Sequence, residues 1–134
     1  MSNLPHFVEY AAAFEETLED DNWNRLEKYF SEDASYLPGD GTEGAGRDAA
    51  LAAMKNSVDL LERKVDSREI IGDPGVSEDG DCITLTFTIR YAKSGRDEFT
   101  LVGKELIEYE NGLIKRMEDI FDNADALIAW RSDL

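Results

Sequence analysis

Two carboxylates stand in apolar company near the end of the sequence. In RMEDIFD, residues 116–122, acidic and apolar side chains alternate. Read as a strand, this puts Met117, Asp119 and Phe121 on one face and Glu118, Ile120 and Asp122 on the other. One strand earlier, the same alternation over 99–109 sets Glu105 on the face of Phe99, Leu101 and Ile107. A carboxyl group among such neighbours has its charged form disfavoured, so its pKa rises, and a second carboxylate nearby raises one proton affinity further. Asp119 and Glu105 are therefore the candidate catalytic residues, suited to general acid or base work. A bulge that shifts the register by one residue would turn either acid to solvent.

Other chemistries find less support. Cys82 is the single cysteine and His6 the single histidine, which excludes an internal disulfide and a zinc site of the usual ligand count. Cys82 reads as a strand residue, since the only imidazole sits in the first few residues. GDGTEG, residues 39–44, matches GxGxxG. The strand before it is very short, however, and Pro38 adjoins it, while Asp40 and Glu43 would repel a pyrophosphate; a mobile rim fits better. EDGD at 78–81 lacks calcium-loop spacing and reads as a turn. No metal and no organic cofactor is expected.

These residues need elements to position them, and 134 residues suit one domain, 1–134, with a real core. Phe7, Tyr10, Ala11, Phe14 and Leu18 recur at helical spacing after Pro5. Trp23, Leu26, Tyr29 and Phe30 mark a short second helix, and Ala34 to Leu37 a brief strand. Residues 38–46 read as a loop, and Ala50, Leu51, Met54, Val58 and Leu61 build a third helix from Arg47 to near Glu62. Val65 to Ile71 reads as strand and 72–81 as a turn. In CITLTFTIRYA, 82–92, Ile83, Leu85, Phe87, Ile89 and Tyr91 alternate with Thr84, Thr86, Thr88 and Arg90. This strand, 99–109 and 113–121 form an antiparallel meander whose last turn is Asn111-Gly112. Ala126 to Trp130 closes the chain as a helical turn.

Three helices followed by a curved antiparallel sheet make an α+β arrangement in which the sheet wraps the helices as a cone. The order of Phe14 to Phe30 then SEDASY, of Gly46-Arg47-Asp48-Ala49-Ala50 at a helix start, of Gly103 within a strand, and of NGLIKRMEDIFD ending in an acid resembles the nuclear transport factor 2-like superfamily. Within it the chain resembles the SnoaL-like group, with polyketide cyclases, ketosteroid isomerase and limonene epoxide hydrolase. The resemblance covers nearly the whole chain and implies an internal cavity for a small, mostly apolar molecule. Its lining would be Tyr10, Phe14, Trp23, Tyr36, Met54, Phe87, Tyr91, Ile107, Met117 and Phe121.

Asp119 falls where the epoxide hydrolase branch has a cavity-facing aspartate, but Leu85, Phe87 and Ile89 stand where its arginine and second aspartate would be sought. Glu105 roughly matches the protonated acid of ketosteroid isomerase, whereas Phe14 takes its tyrosine's place and Leu37-Pro38 its base's. What the resemblance implies is thus a cofactor-free proton-transfer enzyme of isomerase, cyclase or hydrolase type, a non-catalytic module that binds a ligand in the same cavity, or an oligomerisation domain. It also implies a homodimer through the outer sheet face of Thr84, Thr86, Thr88 and Val102.

The net charge of −16 would repel phosphate backbones and anionic lipid at long range, which argues against nucleic-acid and membrane partners. With no basic start followed by a long apolar run, and nothing near the ~20 apolar residues of a membrane span, the expected compartment is the cytoplasm.

Overall fold

The computed structural model describes residues 2–134. Its first helix, α1 (Leu4–Asp20), has Pro5 in the opening turn and buries Phe7, Tyr10, Ala13 and Thr17, the stripe expected of a surface helix. It stops at Asp21, whose left-handed backbone (φ 59°) lets its N–H reach the Thr17 carbonyl at 2.8 Å. The Asp21 carboxylate accepts from the Trp23 indole at 2.6 Å and from Arg63 at 3.0 Å. A single strained residue thus ties three segments together. Trp23–Tyr29 is a 3-10 helix, and Phe30 belongs to the next strand instead of the helix, with extended backbone (φ −112°, ψ 142°). Apolar positions at 23, 26, 29 and 30 fit a helix or a tight turn running into a strand equally well.

Seven strands follow: β1 (Phe30–Leu37), β2 (Gly44–Ala45), β3 (Ser67–Ile70), β4 (Gly75–Asp79), β5 (Cys82–Ala92), β6 (Phe99–Glu110) and β7 (Leu113–Phe121). Helix α2 (Arg47–Leu60) stands between β2 and β3, and α3 (Ala124–Arg131) follows β7. The sheet order is β2-β1-β7-β6-β5-β3, with β4 also paired to β5. The architecture is α+β, a curved open sheet around helices, but β1 runs parallel to β7. The sheet is therefore mixed, as the long α2-containing connection between those strands allows.

Several boundaries differ from expectation. Residues 72–81, expected as a turn, contain β4, and 38–46, expected as a loop, contains β2. β4 is an exposed edge strand, so no buried face imposes an apolar alternation on it. The strand expected over 65–71 is only Ser67–Ile70, and the closing helical turn is an eight-residue helix.

The β5–β6–β7 meander is as expected. Asn111 and Gly112 both have positive φ (54° and 79°), the signature of a type I′ hairpin turn. Beyond that turn β7 carries one extra residue: Tyr109 pairs with Ile114 while Glu108 pairs with Arg116. This bulge lies between the turn and the acids, so Glu105 still sits directly opposite Asp119. At Gly103 a Cβ would come within 2.7 Å of the Ile120 carbonyl and 2.9 Å of the Phe121 ring. Only glycine lets Phe121 fold over β6 there.

Two apolar clusters fill the cone. One, around Leu26, Phe30, Ile83, Ile107 and Met117, lies under α1 and α2; the other, around Leu61, Tyr91, Leu101 and Leu127, lies under α3. Among the described residues, no helix is long and apolar enough to cross a membrane.

Candidate active site

A cavity of about 200 Å³ opens where the two clusters meet, smaller than the roughly 300–1,000 Å³ of drug-sized sites. It is lined by Glu105 and Asp119 together with Tyr10, Phe14, Tyr36, Met54, Phe87, Tyr91 and Phe121. Trp23, Ile107 and Met117 do not line it. Trp23 packs edge-on behind Phe14 (centroids 6.3 Å) in the core cluster, with its indole turned to Asp21. Ile107 and Met117 are cross-strand partners, fully buried, and the Tyr10 hydroxyl closes over Met117 with its oxygen 3.6 Å from Sδ. Periodicity chose the correct face for both but not the depth along it.

Glu105 and Asp119 face each other across β6 and β7, within hydrogen-bonding reach. The Tyr36 hydroxyl donates to Asp119 Oδ2. Asp119 Oδ1 is sealed from solvent and has no donor besides the neighbouring carboxyl. Two ionised carboxylates cannot bond to each other, because both are acceptors only. Burial raises both pKa values. At Glu105 the Asp119 charge adds to burial, whereas at Asp119 the hydrogen bonds from Glu105 and Tyr36 oppose it. Burial and mutual coupling favour a pair that carries one proton and one negative charge between its two members.

Phenols surround this anion. Burial, then the charges of Glu105 and Asp119, holds the Tyr10 hydroxyl well above its usual pKa, and burial followed by Asp119 does the same for Tyr36. Both remain neutral donors. Tyr10 has only the weak Met117 sulfur as partner, which leaves its proton available to something in the cavity.

A second polar group occupies the rim. Glu62, in the turn after α2, and Arg68, on β3, both line the cavity, with Glu62 Oε2 4.0 Å from Arg68 Nε. Glu15 on α1 approaches the same guanidinium at 3.6 Å from the solvent side. Tyr91 on β5 is the cross-strand partner of Arg68 and influences both rim charges. The Glu62 pKa is pushed up to about 7, by burial first, against the pull of Arg68 and Tyr91. Arg131 of α3 also reaches the cavity wall and faces Asp40 at 3.8 Å.

No sequence-family model matches the chain, and no curated protein does. Solved structures do. A nuclear transport factor 2-like protein of unknown function from Burkholderia pseudomallei is 20% identical over 96% of this chain and 97% of its own, with a TM-score of 0.68. TerC, crystallised with polyporic acid, is 17% identical over 94% and 98% of the two chains, with a TM-score of 0.67. A protein provisionally assigned as a SnoaL-like polyketide cyclase, from a Jannaschia species, is 13% identical over 97% and 94%, with a TM-score of 0.68. The chain has the nuclear transport factor 2-like fold.

In this chain of nuclear transport factor 2-like fold, the functional candidates that sequence reasoning passed over are Glu62, Arg68, Arg131 and Tyr109. For the first two the signal is too short to make a period: Glu62 stands four residues after Val58 in the turn beyond α2, and Arg68 precedes Ile70 by two on a four-residue strand. Arg131 extends the helical row of Leu127, four residues on. Tyr109 does not line the cavity, yet its hydroxyl is buried without a partner, and burial followed by the Glu105 charge raises its pKa.

Proposed function

We propose that the protein is a cofactor-independent proton-transfer enzyme acting on a small, mostly apolar carbonyl compound, of isomerase or cyclase type. The observation that carries this reading is the Glu105–Asp119 pair, opposed across two strands inside an apolar cavity, where burial raises both pKa values. Asp119 is the base, with Oδ2 accepting from Tyr36 and Oδ1 buried without a partner. It takes a proton from the carbon beside the carbonyl and returns it to another carbon of the same molecule. The Tyr10 hydroxyl, with only a thioether to bond, donates to the oxygen where charge develops. Glu105 keeps its proton throughout and Tyr36 holds the Asp119 carboxylate in place. The solved structures of SnoaL-like polyketide cyclase type with the same fold agree with this class of chemistry.

A ligand-binding module is the second reading, favoured by the fact that each Asp119 oxygen already faces a donor. The two separate on proton exchange. Small cyclic ketones incubated with the protein in D2O are followed by NMR for deuterium at the α-carbon. The enzyme reading predicts exchange above the buffer rate that falls at least ~100-fold in Asp119→Asn, the scale of general-base catalysis. Exchange equal in the variant, or absent from every ketone that binds, leaves the binding module.

A further inference from the structure

We propose that the rim pair, Arg68 and Glu62, is a recognition subsite for a neutral ligand group that carries a hydrogen-bond acceptor beside a donor, such as a primary carboxamide or an enolised hydroxyketone. The inference rests on the proton-transfer reading only for which end of the ligand reacts.

The pair is incomplete as it stands. At 4.0 Å, Arg68 Nε and Glu62 Oε2 attract each other but are beyond the 2.7–3.2 Å of a hydrogen bond, and neither buried atom has another partner. The guanidinium has five N–H donors. Glu15, the other acid beside it, is half-exposed at 3.6 Å and free to swing into solvent. Arg68 and Glu62 are 23% and 20% exposed at the cavity mouth, so their remaining atoms face whatever enters. A group that accepts from the open guanidinium N–H groups while donating to the other Glu62 oxygen bridges the two residues at once.

Charge selects the neutral form of that group. An anion entering would meet Asp119, Glu62 and Glu15 against the single cation of Arg68, because Arg131 is already opposed by Asp40. A cation would be drawn by these acids but has nothing to accept from the guanidinium, so it would leave Arg68 unserved. Glu62, Arg68 and Asp119 line one cavity of about 200 Å³, so one small molecule reaches from the rim to the reactive acid. Between them Leu85, Phe87 and Ile89 offer only apolar surface. The ligand class is then one compact apolar ring with its reacting carbon at Asp119 and an amide-like substituent at Arg68.

The test is an NMR titration of the isotope-labelled protein with benzamide, acetophenone and benzoate. The expected result is benzamide binding at least tenfold more tightly than acetophenone, which only accepts, and than benzoate, which is anionic. Arg68→Lys, which keeps the charge but lacks the planar fork, removes that advantage and leaves acetophenone unchanged. Glu62→Gln, a milder change should Arg68→Lys fold poorly, weakens benzamide at least threefold. Benzamide no tighter than acetophenone, tighter benzoate, no binding of benzamide, or an unaltered preference in both folded variants overturns the subsite. Benzamide has no hydrogen on the carbon beside its carbonyl and cannot exchange, so failure of the proton-transfer reading shows in the ketone exchange experiment and not here.

Discussion

The two ends of the cavity each place carboxyl groups out of water, and they resolve the cost differently. At the inner end Glu105 and Asp119 have no cation paired with them among the described residues; burial raises both pKa values, and the Tyr36 phenol donates to Asp119. At the rim Glu62 has the Tyr91 phenol and, 4.0 Å away, Arg68, but its Oε2 and the Arg68 Nε are left without partners. The inner pair is complete without a ligand, as a preorganised acid–base group should be. The rim pair is not, as a recognition site should not be. Burial alone therefore does not assign a role; the state of the partners does.

The largest effect that sharpens this contrast is kinetic. Asp119→Asn lowers ketone exchange at least ~100-fold, whereas Arg68→Lys changes exchange of an unsubstituted cyclic ketone less than threefold, both read by NMR in D2O. Equal losses in the two variants would erase the distinction between the ends.

The next is thermodynamic. The folded pKa of Glu62, about 7, lies above its ordinary 4.5. The folded state thus holds a proton that the unfolded state has released. Stability from this group is fully present below pH ~4.5 and is lost as pH rises through ~7, a change on the order of 3 kcal/mol. Denaturant unfolding at pH 5, 6, 7 and 8 should show stability falling, and Glu62→Gln should flatten that fall. The same slope in the variant would mean that the rim is as wet as the outer surface.

A smaller effect concerns the phenol. Tyr36→Phe removes a hydrogen bond that favours ionised Asp119, so the Asp119 pKa should move further up. Carboxyl NMR titration reads this directly, and an unmoved Asp119 would show that the phenol does not hold it.

The smallest concerns the outer face of the same strands. Thr86 is exposed and Val102 is 38% exposed, on the side opposite the cavity acids. The protein is expected as a dimer at micromolar concentration by light scattering, and Val102→Lys should shift it toward monomer with cavity chemistry unaltered. A monomeric parent protein would remove the dimer while leaving the two-ended cavity intact.

The inner end was legible in the sequence and the rim was not, for physical reasons. Long strands with one buried face impose strict alternation, so residues 82–92, 99–109 and 113–121 disclosed their faces, and with them Glu105 and Asp119. The bulge at Lys115 leaves no compositional mark, and its position beyond the acids had to be seen. Glu62 and Arg68 come from a turn after a helix and from a four-residue edge strand, where too few residues establish a period. β4 went unread because solvent-facing edges carry no pattern. Trp23, Ile107 and Met117 show the converse limit, since alternation and helical spacing give direction but not whether a side chain stops at a core or at a cavity.

The central claim is that Glu105 and Asp119 hold one proton between them inside the cavity. Site-resolved 13C NMR titration of their carboxyl carbons tests it most directly. The account predicts that one of the two carboxyls stays protonated well above the range in which carboxylates ordinarily ionise, and that Asp119→Asn abolishes the coupled titration. Two independent titrations in the ordinary carboxylate range would contradict it.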